Sequence, residues 1–152
     1  MIKNLEILLG TVEKYLPFYE KQVEGISKSP IGWHIEPLLL TLDRVIERLS
    51  QTNKKNYKWK FNLSRLVILT TGKIPRGRAK SPSSVRPQTD IHQESLTSHL
   101  KLTRDKLKQL EQLDPGQYFE HPYFGHIKLK QTVRFLEIHT THHLQIIKDI
   151  RG

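Results

Sequence analysis

The sequence predicts one all-α domain, folded as a four-helix bundle with a long basic crossover loop between its second and third helices. Four stretches of the 152 residues carry apolar side chains at alternating spacings of three and four, which is the period of one helix face. Stripes this narrow can be buried only against one another, and a bundle does this with the fewest elements. The length suits a single domain, residues 1–152, with one core.

The first two helices are predicted in the N-terminal third of the chain. The first apolar stripe covers residues 2–16, and the proline that follows should end the helix. The second helix should begin with Ser29 as its N-cap and Pro30 at its first position. Its stripe covers residues 31–49. Because Pro37 removes one backbone hydrogen bond inside this helix, we expect a bend there.

The other two helices are predicted in the C-terminal half. The third should begin near residues 89–90 and end at the "DPG" of residues 114–116, and the fourth should cover about residues 129–150. The apolar stretch "LSRLVILTTG", residues 63–72, fits either a helix or a strand. Residues 71–87 look irregular, and a loop that long in a small domain is usually functional or disordered.

The positive charge of the chain is concentrated in one segment. The net charge is +10, yet residues 48–89 contain eleven Lys and Arg and no Asp or Glu, so the rest of the chain sums to −1. Such a segment favours anionic partners. If the backbone is extended there, Arg76, Arg78 and Lys80 lie on one side and form a candidate anion-binding site. The alternative is an exposed loop whose charges are only solvated.

Aromatic residues also occur in this basic segment. Tyr57, Trp59 and Phe61 alternate with Lys58 and Lys60, a pattern that a single-stranded nucleic-acid platform would need. Three aromatics in "NYKWKFNL" are, however, more typical of a segment that packs on the bundle. Nucleic acid is therefore the less favoured partner, although the basic segment keeps open a non-catalytic protein that binds nucleic acid or an acidic partner.

Histidines near the C-terminus carry the most chemical information. In "HTTHHLQII" the helical wheel places His139 and His143 toward the predicted interior, while His142 leans toward solvent. At a spacing of four, their Cβ atoms lie about 5–6 Å apart, so two imidazoles can reach one cation. A third ligand must come from another helix, and His34 lies on the stripe of the second helix. The plain alternative is a group of hydrogen-bonded core histidines.

The stretches "SPIGWHIEPLLLTLDRVI" and "HPYFGHIKLKQTVRFLEIHTTHHLQIIKDI" together resemble the DinB-like (YfiT-like) superfamily of metalloenzymes, and more narrowly one of its uncharacterised-domain subfamilies. The resemblance implies a four-helix bundle, often dimeric, with three histidines binding a divalent metal. Neutral imidazole suits zinc, nickel, copper or iron, and zinc or nickel is the metal we expect. Carried onto this chain, the ligands are His34, His139 and His143. A histidine standing later in the second helix of relatives would fall near Pro37. In that case the chain has either lost its first ligand, and its metal with it, or recruited His34.

The implied activity is a metal-dependent transferase or hydrolase acting on a small anionic or thiol-bearing substrate. A metal held by three imidazoles can lower the pKa of water or of a thiol. Because the chain has no cysteine, the thiol would come from a cosubstrate. His121 and His126 are weak catalytic candidates, and Glu36 and Glu137 are candidate supporting groups. The solvent face is the favoured position for Glu137.

The remaining composition sets the compartment and excludes other classes of site. The absence of cysteine excludes disulfides and thiolate ligands, and it fits a cytoplasmic protein. No apolar run reaches the length of a membrane span, so we expect no membrane partner. Walker, dinucleotide-binding and zinc-finger motifs are absent from the sequence. A homodimer is expected from the resemblance alone.

Overall fold

The computed structural model describes residues 1–75 and 91–152. In these ranges the chain forms five α-helices and one antiparallel pair of strands, so the fold is mostly helical, as predicted. The helices are α1 (Lys3–Tyr15), α2 (Gly32–Gln51), α3 (Leu63–Thr71), α4 (Gln93–Gln109) and α5 (Leu129–Arg151). The strands are β1 (Tyr118–His121) and β2 (Gly125–Lys128).

The core lies between the four long helices. Helix α1 packs against α4 and α5, and α2 packs against the same two helices. The apolar stripes that predict the helices supply the buried side chains, and burial of each leucine stabilises the fold by roughly 1.5–3 kcal/mol. The leucines with no exposed surface are Leu5, Leu9, Leu38, Leu39, Leu42, Leu49, Leu96, Leu107, Leu110 and Leu136.

Helix α2 begins later than the sequence predicts. Ser29 is not its N-cap, because the Ser29 N–H donates to Ser27 Oγ (3.1 Å) and the helix starts at Gly32. The backbone of the preceding loop satisfies the helix start instead, since the Gly32 N–H donates to the Tyr19 carbonyl at 2.8 Å. Pro37 lies inside the helix, which continues through it without interruption.

The stretch that fits either a helix or a strand forms helix α3. Asn62 is its N-cap, with the side-chain oxygen accepting from the Arg65 N–H at 2.9 Å. Gly72 ends the helix in the left-handed region, at φ +69°, and its N–H donates to the Ile68 carbonyl. Asn and Gly are favoured at these two positions of a helix. The caps, rather than the apolar pattern, distinguish helix from strand here.

Strands β1 and β2 form a hairpin between α4 and α5, so the all-α prediction is wrong in this detail. Phe119 pairs with Ile127 in the register, and both side chains are buried. Pairs of this kind are what hold a short hairpin on a core. Gly125, at φ +69°, provides the left-handed residue that the turn requires.

The hairpin is tied to the C-terminal end of α2. Thr52 Oγ1 donates to the Tyr118 carbonyl (2.9 Å) and accepts from the Tyr118 N–H (3.1 Å). The Gln117 amide nitrogen donates to the carbonyls of Leu49 and Thr52 at 3.1 Å each, with a longer contact to Ser50. Carbonyls at the end of a helix have no partner inside it, so these side chains cap α2.

The predicted crossover between α2 and α4 is partly helical, because it contains α3 and a short 3₁₀ turn, Lys54–Asn56. The rest of the crossover, residues 76–90, lies outside the described residues. In the part of the chain that the structure describes, no helix is long and apolar enough to cross a membrane.

Candidate metal centre

Two imidazoles lie side by side on the inner face of α5. His139 and His143 are each only 8% exposed, and their ring centroids are 4.6 Å apart. They are neighbours because residues four apart lie on one face of a helix. His142 is only half-buried, so the helical wheel placed all three correctly. The burial of His139 and His143 is confirmed, and metal binding by the pair stays a prediction.

The buried nitrogens of this pair lack hydrogen bonds. Among the described residues, neither ring nitrogen of His143 has a partner, and Nδ1 of His139 has none either. The hydroxyls of Thr41 and Thr140 are also buried and unpartnered in the same ranges. Leaving a polar atom buried and unsatisfied costs about 1–3 kcal/mol, so each one calls for an explanation.

Both imidazoles are neutral at physiological pH. Burial lowers the pKa of His139 well below its usual value, and the nearby His143, His142 and His121 lower it further. Burial, together with His142 and His34, lowers the pKa of His143 to about 4. A neutral imidazole keeps a lone pair on one nitrogen, which is the form that binds a metal.

His34 lies near the pair but is engaged elsewhere. Its Nε2 is 2.7 Å from Ser27 Oγ, which also accepts from the Ser29 N–H. Burial lowers the pKa of His34, and a hydrogen bond with the Ser29 backbone partly offsets this. The charge of a protonated His34 would lower the pKa of His143, so the two lie within electrostatic reach.

The three predicted ligands are not assembled into a closed site. Across residues 1–75 and 91–152, no group of three or more His, Cys, Asp or Glu is arranged to hold a metal ion. The pair on α5 has unpartnered nitrogens, whereas Nε2 of His34 is held by Ser27. Two of the three candidate ligands therefore present donor atoms that nothing in the described chain uses.

His121, on β1, has its tautomer fixed by the hairpin turn. Its Nδ1 accepts the N–H groups of Tyr123 (3.0 Å) and Phe124 (3.1 Å), so the proton of the neutral ring is on Nε2. The ring stacks on Phe124 at 4.0 Å, and burial lowers its pKa to about 4. Phe135 contacts both His121 and His139, with ring centroids 4.8 and 5.7 Å away. His121 is thus a hydrogen-bond donor beside the pair and not a metal ligand through Nε2.

His126 links the segment after α2 to the hairpin. Its Nδ1 accepts the Lys58 N–H at 3.0 Å, and its ring stacks on Tyr118 at 4.3 Å. These contacts fix the segment after α2 against the hairpin. Of the two weak catalytic candidates, only His121 is in contact with the residues around the buried pair.

Sequence reasoning missed a charged cluster between α2 and α4. His99 Nδ1 lies 2.8 Å from Glu36 Oε1, and its Nε2 lies 2.7 Å from Asp43 Oδ2. Thr103 donates to the other oxygen of Asp43 at 2.8 Å. Burial alone would lower the pKa of His99, but the hydrogen bonds and charges of Asp43 and Glu36 raise it to about 9. His99 is an imidazolium bridging two carboxylates.

A signal for this cluster was present in the sequence. Glu36 and Asp43 are seven residues apart, so they lie on one face of α2, and His99 adjoins the apolar stripe of α4. Glu36, a candidate supporting group of the metal site, is instead paired with His99.

Glu137, the other candidate supporting group, is half-buried and accepts a hydrogen bond from the Asn4 side chain at 3.3 Å.

Comparison with known proteins identifies a family. Residues 42–149 match the family model described as "Protein of unknown function (DUF1569)". The chain belongs to the DUF1569 family. No curated protein and no solved structure matches the chain. The DUF1569 match includes His139 and His143, whereas His34 lies outside it.

Two features of the basic segment bear on the predicted partners of this DUF1569 chain. Arg76, Arg78 and Lys80, the predicted anion site, lie outside the described residues. The aromatics before them are described, and the expectation that they pack on the bundle is wrong for two: Trp59 is 65% exposed and Phe61 is 68% exposed. Tyr57 packs against Tyr118, while the exposed ring of Trp59 has the Arg65 guanidinium 5.9 Å from its centre.

Proposed function

We propose that the chain is a divalent-metal-binding protein of the DinB-like type, which holds the ion through His139, His143 and His34 and serves a transfer or hydrolysis reaction on a small substrate. One observation carries the proposal: His139 and His143 together present three buried ring nitrogens without a partner in the described chain. A metal ion would take one nitrogen from each ring, and so would satisfy two of these three atoms, which otherwise only destabilise the fold. The mutual packing of the four long helices supports a bundle of this type.

For His34 to be the third ligand, its Nε2 must give up the hydrogen bond that it makes with Ser27 Oγ. Water can replace the imidazole as the partner of the Ser27 hydroxyl. His34 would then offer an imidazole from α2 opposite the pair on α5. Three nitrogen ligands leave an open position, which distinguishes a catalytic site from a structural one.

The chemistry follows from the ligand type. Neutral imidazoles suit zinc or nickel. Such an ion supplies Lewis acidity, which lowers the pKa of water or of a low-molecular-weight thiol. Beside the pair the chain contributes the ring of Phe135, and His121 as a donor fixed by its tautomer. With no cysteine in the sequence, any thiol is a cosubstrate.

Metal content tests the proposal directly. Untagged protein is loaded with zinc or nickel, dialysed and measured by elemental analysis, as the wild type and as a His139→Ala, His143→Ala double variant. We expect about one metal per chain in the wild type and none in the double variant, because two of three ligands are lost. His92→Gln is the matched control, because His92 is an exposed histidine at the start of α4 and should leave the metal in place.

The single variants distinguish the parts of the proposal. His34→Ala should lose the metal together with a thermal stabilisation that zinc gives the wild type. Metal retained in His34→Ala would remove His34 from the ligand set. A wild type that takes up no metal, or a double variant that keeps it, would contradict the proposal.

A further inference from the structure

An exposed apolar surface begins directly after α2 and continues along α3. Five large apolar side chains within nine residues are between 48% and 68% exposed. Soluble chains rarely expose contiguous apolar surface without a use for it. We call this surface the apolar face: Trp59, Phe61, Leu63, Leu66 and Val67.

The side chains of the apolar face are close neighbours along the segment. Leu63, Leu66 and Val67 stand at positions i, i+3 and i+4 of α3, so they share one side of the helix. Trp59 and Phe61 precede them in a stretch that is neither helix nor strand, and the Arg65 guanidinium of α3 lies 5.9 Å from the centre of the Trp59 ring, which places Trp59 beside the helix.

The opposite side of the segment is anchored, which directs the apolar face outward. Arg65 is 7% exposed, and its guanidinium donates to the carbonyls of Lys60 (2.7 Å) and Phe124 (3.3 Å). Asn62 donates from its side chain to the Tyr123 carbonyl. The segment is thus held on the hairpin by its polar groups, while its apolar side chains remain exposed. The apolar side chains are exposed because these polar contacts hold the other side of the segment against the hairpin.

The segment that carries the apolar face has charges of one sign. Lys58 and Lys60 flank Trp59 and are exposed, and the sequence has no acidic residue between positions 48 and 89. A second copy seated on this face would bring the lysines of both chains together, which opposes self-association. A nucleic acid would stack on the two aromatics but leave the three aliphatic side chains of α3 without a partner.

We propose that the apolar face is a docking surface for an anionic lipid bilayer. Tryptophan and phenylalanine insert at the boundary between headgroups and acyl chains, aliphatic side chains of a short helix add apolar burial, and lysines contact anionic headgroups. This association is peripheral, and it departs from the expectation of no membrane partner, which rested only on the absence of a membrane-spanning run. It rests on residues that take no part in the histidine site, so it stands independently of the proposed metal.

Vesicle binding tests the proposal. The whole chain is sedimented with phosphatidylglycerol vesicles and with phosphatidylcholine vesicles, at low and at high salt. We expect binding to the anionic vesicles that weakens with salt, and a blue shift of Trp59 fluorescence, which a Trp33→Phe background isolates because the chain has two tryptophans. Phe61→Ser and Leu66→Ser should each reduce the partition coefficient about tenfold, since each removes a large apolar side chain from the buried surface.

The control is Leu102→Ser on α4, where the leucine is 59% exposed but lies away from the apolar face. It should bind vesicles as the wild type does. Circular dichroism of each variant confirms that it is folded. Failure to bind anionic vesicles, or equal binding by Phe61→Ser, Leu66→Ser and Leu102→Ser, would overturn the proposal. If the wild type does not bind vesicles, two other results would identify a different occupant and overturn the proposal. A shift from dimer to monomer in Phe61→Ser and Leu66→Ser would point to a second copy, and a loss of oligonucleotide binding would point to nucleic acid.

Discussion

At the scale of single residues, the surroundings of each histidine determine its charge. His143 is buried without a hydrogen-bond partner in the described chain, and its pKa falls to about 4. His99 is also largely buried, yet two carboxylates raise its pKa to about 9. The same side chain is thus neutral at one site and cationic at the other. The neutral site is suited to binding a cation, and the cationic one to holding two helices together.

The first prediction concerns this bridge. We expect His99→Gln to lower the free energy of unfolding by about 2–4 kcal/mol, because Glu36 and Asp43 lose the cation that bridges them and Asp43 keeps only the longer contact with Lys106, at 3.7 Å, as its ion pair. Urea denaturation at pH 7 measures the change. Arg104→Gln, which breaks an exposed ion pair with Glu13, should cost less than about 1 kcal/mol. Equal effects of the two variants would show that the His99 bridge adds nothing beyond a surface pair.

At the scale of elements, apolar periodicity predicts the long helices well. Helix α5 begins at the residue predicted, Leu129, where its apolar stripe begins and where the Leu129 N–H also donates to the Gln117 carbonyl at 2.9 Å. The start of α2 was misplaced, since a distant backbone carbonyl of Tyr19 satisfies it. The hairpin was missed because its two short strands are specified by one buried pair, Phe119 and Ile127, and by a glycine turn. Contacts between segments decide these features, and a local pattern does not contain them.

The end of α3 gives a prediction at this scale. Gly72→Ala should destabilise the protein by about 1 kcal/mol, because alanine is strained at φ +69°. The added Cβ would also lie 2.9 Å from Arg134 Nη2, which can move away. Thermal unfolding of the variant measures the loss.

Two other glycines serve as controls. Gly125 has the same φ but nothing within 4 Å of an added Cβ, so Gly125→Ala isolates the backbone cost. Gly25 has neither a positive φ nor an atom within 4 Å of an added Cβ, so Gly25→Ala should be neutral or slightly stabilising. If Gly72→Ala proved as harmless as Gly25→Ala, the left-handed end of α3 would not matter to stability.

At the scale of the whole molecule, the candidate site shows what a sequence can and cannot predict. The burial of His139 and His143 follows from the wheel of one helix, so it was predictable. The engagement of His34 by Ser27 was not, because it depends on the path of the loop before α2. The His99 bridge joins side chains 56 and 63 positions apart, and only the packing of α2 on α4 brings them together.

The histidines together predict the dependence of stability on pH. His99 has a folded pKa of about 9 against 6.5 unfolded, so its contribution is full below pH 6.5 and is lost as pH rises toward 9. His121 and His143 have folded pKa values of about 4, so their contribution is full above pH 6.5 and is lost as pH falls toward 4. Stability should peak near pH 6.5, with each group changing it by at most about 1.4 kcal/mol per pH unit.

Chemical denaturation from pH 5 to pH 9 tests this profile in the absence of added metal. In His99→Gln the decline above pH 6.5 should disappear, while the decline on the acid side remains. A wild-type stability that does not change between pH 6.5 and 9 would contradict the assignment of His99 as the bridging cation.

Gln117 joins two parts of the chain that are far apart in sequence. Its amide nitrogen is shared among carbonyls at the end of α2, while its side-chain oxygen accepts the Asp114 N–H at 2.8 Å. Fraying of the last turn of α2 therefore removes the support of the hairpin, and displacement of the hairpin uncaps the helix. We therefore expect the two to open as one cooperative unit, with their amide protons exchanging with solvent at a common rate. His121 lies on β1 and so belongs to this unit. When the unit opens, the Nε2–H group of His121 moves away from the buried imidazoles of His139 and His143.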